Sequence, residues 1–300
     1  MVESPRFSVI IPARNRPDAL ANCLQSLTRL EYPIERYEVI VVDDASEPPL
    51  RQAVEGRASL SGLRWERLLR NEGPAAARNH GARIARGRFL AFTDDDCQPA
   101  PEWLNKLEHA LNSNPGCAVG GQVIDGQPHI LYSAANQALL DVVYEYYNTN
   151  PLQAQFVTTA NLAVPATSFL ELDGFNAAYR TSEDREFCSR WLASGRPIIF
   201  APDVVASHFM PGGFLQFWRR HYSFGEGAYR YRKEYTNSLS GNIRLEPLRF
   251  YWRLVSAPLD DGLTIRSLAV SFLICLSQAA SALGLLSCWR RGYGAKGRSV

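Results

Sequence analysis

The chain has 300 residues, of which 46% are hydrophobic, so it can bury a substantial core, and this excludes a disordered protein. Its 32 basic and 30 acidic side chains leave a formal charge of +2, which is too balanced for a protein that binds nucleic acid through its phosphates. Six scattered cysteines without a C-x-x-C pair exclude a zinc ribbon or disulfide framework and favour reduced thiols in a cytosolic setting, and we expect no export signal.

The first hundred residues alternate between short apolar runs and segments with helical spacing of apolar residues. The predicted strands are 7–12, 39–42, 63–69 and 89–92, and the predicted helices are 18–27 and 75–85. The second strand is continuously apolar, as expected when both faces of a parallel sheet are covered. This order predicts a βαβαβ arrangement with a mostly parallel sheet and right-handed crossovers.

Beyond residue 115 the pattern is looser. We predict strands at 118–123 and 198–200 and helices at 131–147 and 183–192. The chain then changes character, and we place a domain boundary there, with one domain over 1–210 and a helical extension over 211–300.

The extension carries two unusual segments. Residues 214–235 interleave aromatic and basic side chains, a mixture that suits the headgroup level of a membrane. Residues 267–289 contain no charge and are followed by four basic residues, Arg290, Arg291, Lys296 and Arg298. Several serines dilute this apolar stretch, so a spanning helix, an in-plane helix and a helix packed on protein all remain open.

Carboxylates stand directly after two of the predicted strands. Asp43 and Asp44 follow the second strand, and Asp94, Asp95 and Asp96 follow the fourth. Ligands of open parallel sheets bind outside the carboxyl ends of the strands, so these acids should share one edge. Their mutual repulsion requires compensation. Hard carboxylate oxygens are suitable ligands for Mg²⁺ or Mn²⁺, and a diphosphate bridged by the metal is the expected ligand of this site.

Five motifs resemble those of family 2 glycosyltransferases with the GT-A fold, in order and spacing. They lie at residues 8–15, 41–46, 73–79, 92–96 and 182–184. The resemblance implies an α/β, Rossmann-like GT-A domain and an enzyme that transfers a sugar from a nucleotide sugar to an acceptor hydroxyl with inversion, in the synthesis of cell-surface polysaccharide or glycolipid. The implied donor is UDP-, GDP- or dTDP-linked, and the implied acceptor is a glycan or a lipid-linked molecule.

The resemblance also assigns roles to individual residues. Those expected to bind the nucleotide sugar are Pro12, Arg14, Asp43, Asp44, Arg78, Asp94, Asp95 and Asp96. Arg78 also has a simpler interpretation, as an arginine on a helix surface. Asp96, Asp94 and His208 are the expected ligands of a divalent metal, Mn²⁺ or Mg²⁺, although a lone histidine is often structural.

The pair Glu183 and Asp184 resembles the family's catalytic pair, in which the aspartate accepts the proton of the attacking hydroxyl. The alternative is that Ser182 caps a helix and that both acids only favour its positive end. Residues 158–161 and 172–175 resemble the acceptor-side loop, but Asp173 stands where the family pattern has a glycine.

Other classes fit less well. A nucleotidyltransferase would carry a glycine-rich N-terminal signature, and a dinucleotide-binding oxidoreductase would carry G-x-G-x-x-G after the first strand; this sequence has neither. A catalytically silent sugar-nucleotide-binding or membrane-interaction module remains as the alternative. We expect the protein at the cytoplasmic face of the inner membrane, with no nucleic-acid partner.

Overall fold

The computed structural model describes residues 5–57, 60, 62–210, 212–236, 245–260 and 262–291. The chain divides into two compact units. The sheet unit comprises Met1–Gln127 and Tyr147–Met210, and the helical unit comprises Pro128–Tyr146 and Pro211–Val300. Lys296 and Arg298, two of the basic residues noted in the sequence, lie outside the described residues.

The strands of the sheet unit form one sheet. In chain order they are β1 Phe7–Ala13, β2 Tyr37–Asp43, β3 Leu63–Arg67, β4 Phe89–Phe92, β5 Cys97–Pro99, β6 Ala118–Asp125, β7 Leu162–Pro165 and β8 Ile198–His208. Their spatial order is β3-β2-β1-β4-β7-β6-β8-β5.

Helices flank the sheet and build the second unit. They are α1 Pro17–Leu27, α2 Leu50–Ala53, α3 Pro74–Ile84, α4 Trp103–Ser113, α5 Leu131–Tyr147, α6 Ala166–Glu171, α7 Glu183–Ala193, α8 Phe214–Thr236, α9 Leu248–Ser256 and α10 Ile265–Arg290. Short 3-10 turns occur at Ile34–Arg36, Pro151–Gln153, Thr159–Asn161 and Ala257–Leu259.

The predicted α/β fold is confirmed, and the sheet is mixed. The four strands β3, β2, β1 and β4 are parallel, as predicted. Strands β6 and β8 are also parallel to each other. Of the described strands, only β7 and β5 run in the opposite direction, since β7 is antiparallel to both β4 and β6 and β5 is antiparallel to β8. The strands that reverse the direction are short, with four residues in β7 and three in β5. Such short segments lack a readable period.

The central strands are covered on both faces. All seven residues of β1 and all seven of β2 are buried. Val9 and Ile11 belong to one hydrophobic cluster and Ile10 to another, as alternation along a strand requires. The continuous apolar runs in the sequence therefore reflect a sheet that lies between two helical layers.

The helical unit has its own core, and it includes most of α5. Ala135 and Val142 of α5 pack with Phe217, Phe250 and Ile274. The predicted domain division, in contrast, had assigned residues 128–146 to the first domain. The mixed aromatic character of this helix is explained by its place in the second core.

Helices α8 and α10 approach each other closely. A Cβ atom at Gly225 would collide with the carbonyl oxygen of Ser281, and one at Gly284 would collide with that of Tyr222. Glycine at these two positions therefore permits the backbones to pack.

Candidate active site

Acidic side chains lie at the carboxyl ends of the parallel strands. Asp43 is the last residue of β2, and the amide of Asp44 donates to the carbonyl of Ala13 at the end of β1. Asp94, Asp95 and Asp96 form a turn between β4 and β5. The predicted placement of these acids at one edge of the sheet follows from the parallel pairing of β1 with β2 and β4.

Arg16 neutralises part of this acidic turn. Its Nη1 lies 2.6 Å from Asp96 Oδ2 and its Nε lies 3.2 Å from Asp95 Oδ2. Burial alone would lower the pKa of Arg16, but Asp96, Asp95 and Asp94 raise it overall. Arg14, the arginine predicted to bind the nucleotide sugar, is exposed, whereas Arg16 was not predicted. The missed signal is an arginine directly before Pro17, the first residue of α1.

Asp95 is the most deeply buried acid of the turn, with no exposed surface. Burial raises its pKa to about 7, against the opposing charge of Arg16. Because its carboxylate faces Arg16, Asp95 supports the turn from within the protein.

Among the described residues, Asp96 and His208 belong to a group of side chains that could hold a metal ion. Asp96 Oδ1 lies 3.1 Å from His208 Nε2, at the end of β8. Together with the Cys97 thiol, their ligand atoms lie within 4.8 Å of one another. Burial and the neighbouring acids raise the pKa of Cys97 well above its usual value, which disfavours the thiolate. A carboxylate and an imidazole are suitable ligands for a divalent metal.

Arg78 connects two parts of the chain that are distant in sequence. Its Nη2 lies 2.5 Å from Asp94 Oδ1, and its Nη1 lies 2.8 Å from Glu183 Oε1. The side chain is buried rather than on the helix surface, since only 3% of it is exposed. The structure thus joins the acidic turn after β4 to the beginning of α7.

Helix α7 begins with the predicted catalytic pair. Ser182 adopts a left-handed backbone conformation with φ 66°, and its side chain makes no capping hydrogen bond, so the predicted alternative of a serine cap is wrong. Glu183 is buried and Asp184 is half-buried. Burial, followed by the charge of Glu183, raises the pKa of Asp184 to about 7. Such a carboxylate can accept a proton at neutral pH.

Asp43 and Asp44 hold loops at the end of β2. Asp43 accepts hydrogen bonds from the amides of Ser46 and Leu50 and from Arg67 Nη1 at 2.8, 3.1 and 3.0 Å. Asp44 accepts from the amides of Glu72 and Gly73 at 2.7 and 2.9 Å. Asp43 therefore shapes the entry to α2, and Asp44 shapes the entry to α3.

Two further predicted residues lie at the end of β1, where the backbone amide of Arg14 donates a hydrogen bond to the Asp95 carboxylate. Pro12 is buried within β1, and Arg14 follows the strand. In the acceptor-side loop, Asp173 has φ 57° and Gly174 has φ 66°. Aspartate tolerates this left-handed region better than most residues, so it can replace the glycine of the family pattern.

Comparisons with known proteins identify the family of this chain. Residues 8–180 match the family model described as glycosyl transferase family 2. Glycosyltransferase AglE of Haloferax volcanii is 29% identical over 212 residues, which cover 68% of this chain and 67% of that protein. The matched segment covers 62% and 42% of the length of two further curated relatives.

Two solved structures show a similar fold. One is the mannosyltransferase PcManGT from Pyrobaculum calidifontis in complex with GDP-Man and Mn²⁺, with a TM-score of 0.59, 20% identity and coverage of 97% of this chain and 80% of that chain. The other is S. aureus TarS 1-349 in complex with UDP-GlcNAc, with a TM-score of 0.54, 16% identity and coverage of 96% and 92%.

Proposed function

The chain belongs to family 2 of the glycosyltransferases, and on that premise we propose that it transfers a sugar from a nucleotide-sugar donor to an acceptor hydroxyl with inversion. One observation carries the proposal. Arg78 links Asp94, in the acidic turn after β4, to Glu183, beside Asp184. A donor site and a candidate base are thereby held in one network.

The donor occupies the edge of the sheet at the ends of β1, β2 and β4. Asp94 and Asp96 lie nearest to its diphosphate and ribose, whereas Asp95, which has no exposed surface, supports the turn from within instead of contacting the donor. Pro12, Arg14, Asp43 and Asp44 line the nucleotide end. Asp96 and His208 would hold Mn²⁺ or Mg²⁺, whereas Asp94, the third predicted ligand, is outside that group and pairs with Arg78. When bound, such an ion offsets negative charge on the departing nucleotide diphosphate.

Asp184 is the general base of the reaction. The acceptor oxygen forms a bond to the anomeric carbon, the bond from that carbon to the diphosphate oxygen breaks, and the acceptor proton moves to the Asp184 carboxylate. A single displacement from the face opposite to the leaving group inverts the anomeric configuration. The raised pKa of Asp184 matches a base that works near neutral pH.

A screen of nucleotide sugars tests the proposed function. We expect at least one UDP-, GDP- or dTDP-sugar to bind, to bind more tightly with Mn²⁺ than with a chelator, and to be slowly hydrolysed or transferred. Calorimetry measures the binding, and released nucleoside diphosphate measures the turnover. Binding without turnover for every donor and acceptor would instead favour a silent sugar-nucleotide-binding module, and no binding at all would contradict both functions.

The helical unit offers a surface for the expected membrane partner. Among the described residues, α10 is the one helix long and apolar enough to cross a bilayer. One side is packed, and the other exposes an apolar stripe formed by Leu268, Phe272, Leu283, Leu286 and Trp289. We propose that this stripe lies in the membrane surface, with Arg266, Arg290 and Arg291 near anionic headgroups. A lipid-linked or cell-surface glycan could then be the acceptor.

Replacing Phe272 and Leu283 together by serine is expected to lower binding of the full chain to anionic vesicles by about tenfold or more, because each side chain loses apolar burial in the lipid. Co-sedimentation measures the effect. Leu69→Ser, at a fully exposed leucine of the sheet unit, is the matched control. Unchanged sedimentation would contradict the membrane role, and a change in oligomeric state instead would show that the stripe binds a second copy.

A further inference from the structure

Arg78 is almost fully enclosed, although an arginine that binds a nucleotide should face the binding cleft. Only 3% of its side chain is exposed. Its two terminal nitrogens donate hydrogen bonds to the carboxylates of Asp94 and Glu183, at 2.5 and 2.8 Å. The guanidinium carbon also lies 5.8 Å from the centre of the Phe175 ring, within the range of a cation–π contact.

The two carboxylates come from different elements. Asp94 lies in the turn after β4, and Glu183 is the first residue of α7. One planar guanidinium with fixed donor directions determines the distance between them. Since Asp184 follows Glu183 directly, fixing Glu183 also fixes the start of the helix that carries the candidate base.

We propose that Arg78 is a positioning residue that holds Glu183, and through it the Asp184 carboxylate, at a set place relative to Asp94, and that it does not contact the nucleotide. This inference rests on the proposed function, because Asp184 is the base only if the chain transfers sugar. It replaces the sequence-based expectation that Arg78 binds the donor.

The charges around Asp184 allow the positioning role of Arg78 to be measured through the pKa of Asp184. The charged and titratable groups that face it are Glu183, Arg185 and Cys188 of α7 and Arg78 of α3, and Arg185 in turn donates a hydrogen bond to the Tyr147 hydroxyl. Glu183 raises the pKa of Asp184, whereas Arg78 lowers it. Removal of the Glu183 charge should therefore lower the pKa of Asp184, and removal of the Arg78 charge should raise it.

The experiment compares Arg78→Gln with Glu183→Gln in the full chain. The acid limb of the transfer rate should move to higher pH in Arg78→Gln and to lower pH in Glu183→Gln. The rate of Arg78→Gln should fall by about 100-fold, as expected for a misplaced base, while the Kd for the nucleoside diphosphate with Mn²⁺ stays at the wild-type value. Arg83→Gln is the control, because it removes the same charge from an exposed position of α3.

An increase in the Kd of Arg78→Gln by tenfold or more, about 1.4 kcal/mol, with an unmoved acid limb, would overturn the proposal and restore a nucleotide contact. If Arg78→Gln does not fold, Glu183→Gln still tests the proposal. An unchanged pKa of Asp184 in that variant would contradict the electrostatic coupling between Glu183 and Asp184. Carboxyl NMR of Asp184 in the wild type and variants reads this titration without turnover. A chain that transfers no sugar would refute the proposed function, whereas the NMR shifts would still test the Arg78 network.

Discussion

Replacing Asp184 by asparagine is expected to lower the rate of sugar transfer by about 10²–10⁴-fold, the usual contribution of a positioned general base. Asparagine keeps the shape of the side chain but cannot accept the acceptor proton. Because Asp184 lies at the beginning of α7, apart from the acidic turn after β4, donor binding should remain at the wild-type level. Single-turnover transfer and donor titration measure the two properties separately.

Asp18→Asn is the control for this substitution, because it makes the same chemical change at an exposed aspartate of α1. Equal transfer rates for Asp184→Asn and the wild type would remove Asp184 from the role of base. An equal loss of donor affinity would show that it acts in binding.

The same variant should gain stability at neutral and higher pH. The pKa of Asp184 is raised from 3.8 to about 7, so the folded state holds its proton more tightly than the unfolded chain. The free energy of unfolding therefore falls as pH rises from about 4 through 7, and this loss is absent in the uncharged variant. Thermal unfolding at pH 4 and pH 8 measures it, with the difference between variant and wild type expected at pH 8.

The second large effect is expected at Asp96. Asp96→Asn should weaken Mn²⁺ binding by about 100-fold or more, since even residues that only support a metal ligand contribute about 10–100-fold. The nucleotide sugar should then bind equally with and without Mn²⁺. Arg16 and His208, which both contact Asp96, cannot replace the lost negative charge.

Electron paramagnetic resonance of Mn²⁺ measures the free and bound ion directly. Asp203→Asn serves as the control, because Asp203 is an exposed acid on β8, the strand that carries His208. Wild-type Mn²⁺ affinity in Asp96→Asn would exclude Asp96 as a ligand. A loss of affinity in both variants would point to a general effect of charge.

Much of the candidate site could be predicted because its acidic residues directly follow strands that the sequence pattern identifies. The continuous apolar runs identified β1, β2 and β4, and parallel pairing then placed Asp43, Asp44 and the acids at 94–96 at one edge. That inference needs only the periodicity of the strands and the direction of the sheet. The roles of these acids in binding and catalysis remain predictions.

The features that could not be predicted depend on contacts between distant segments of the chain. Arg16 was indistinguishable from a surface arginine, because its partner Asp95 lies 79 residues away in the chain. Arg78 was selected by the family resemblance, but its pairing with Glu183, 105 residues away, was not predicted. Strands β5 and β7 were too short to show a period, so the two strands that run antiparallel to their neighbours were not predicted. Helix α5 was assigned by its position in the chain, whereas its apolar residues pack with those of α8, α9 and α10.

The glycines that face each other across α8 and α10 give this arrangement a signature in the sequence. At Gly225 and Gly284 a methyl group would already push the two backbones apart. Other members of the family with glycine at both aligned positions should have the same close packing of two helices, whereas a bulky residue at either position should coincide with a differently built C-terminal region. Relatives could thus be sorted by their helical appendage before any of their structures is determined.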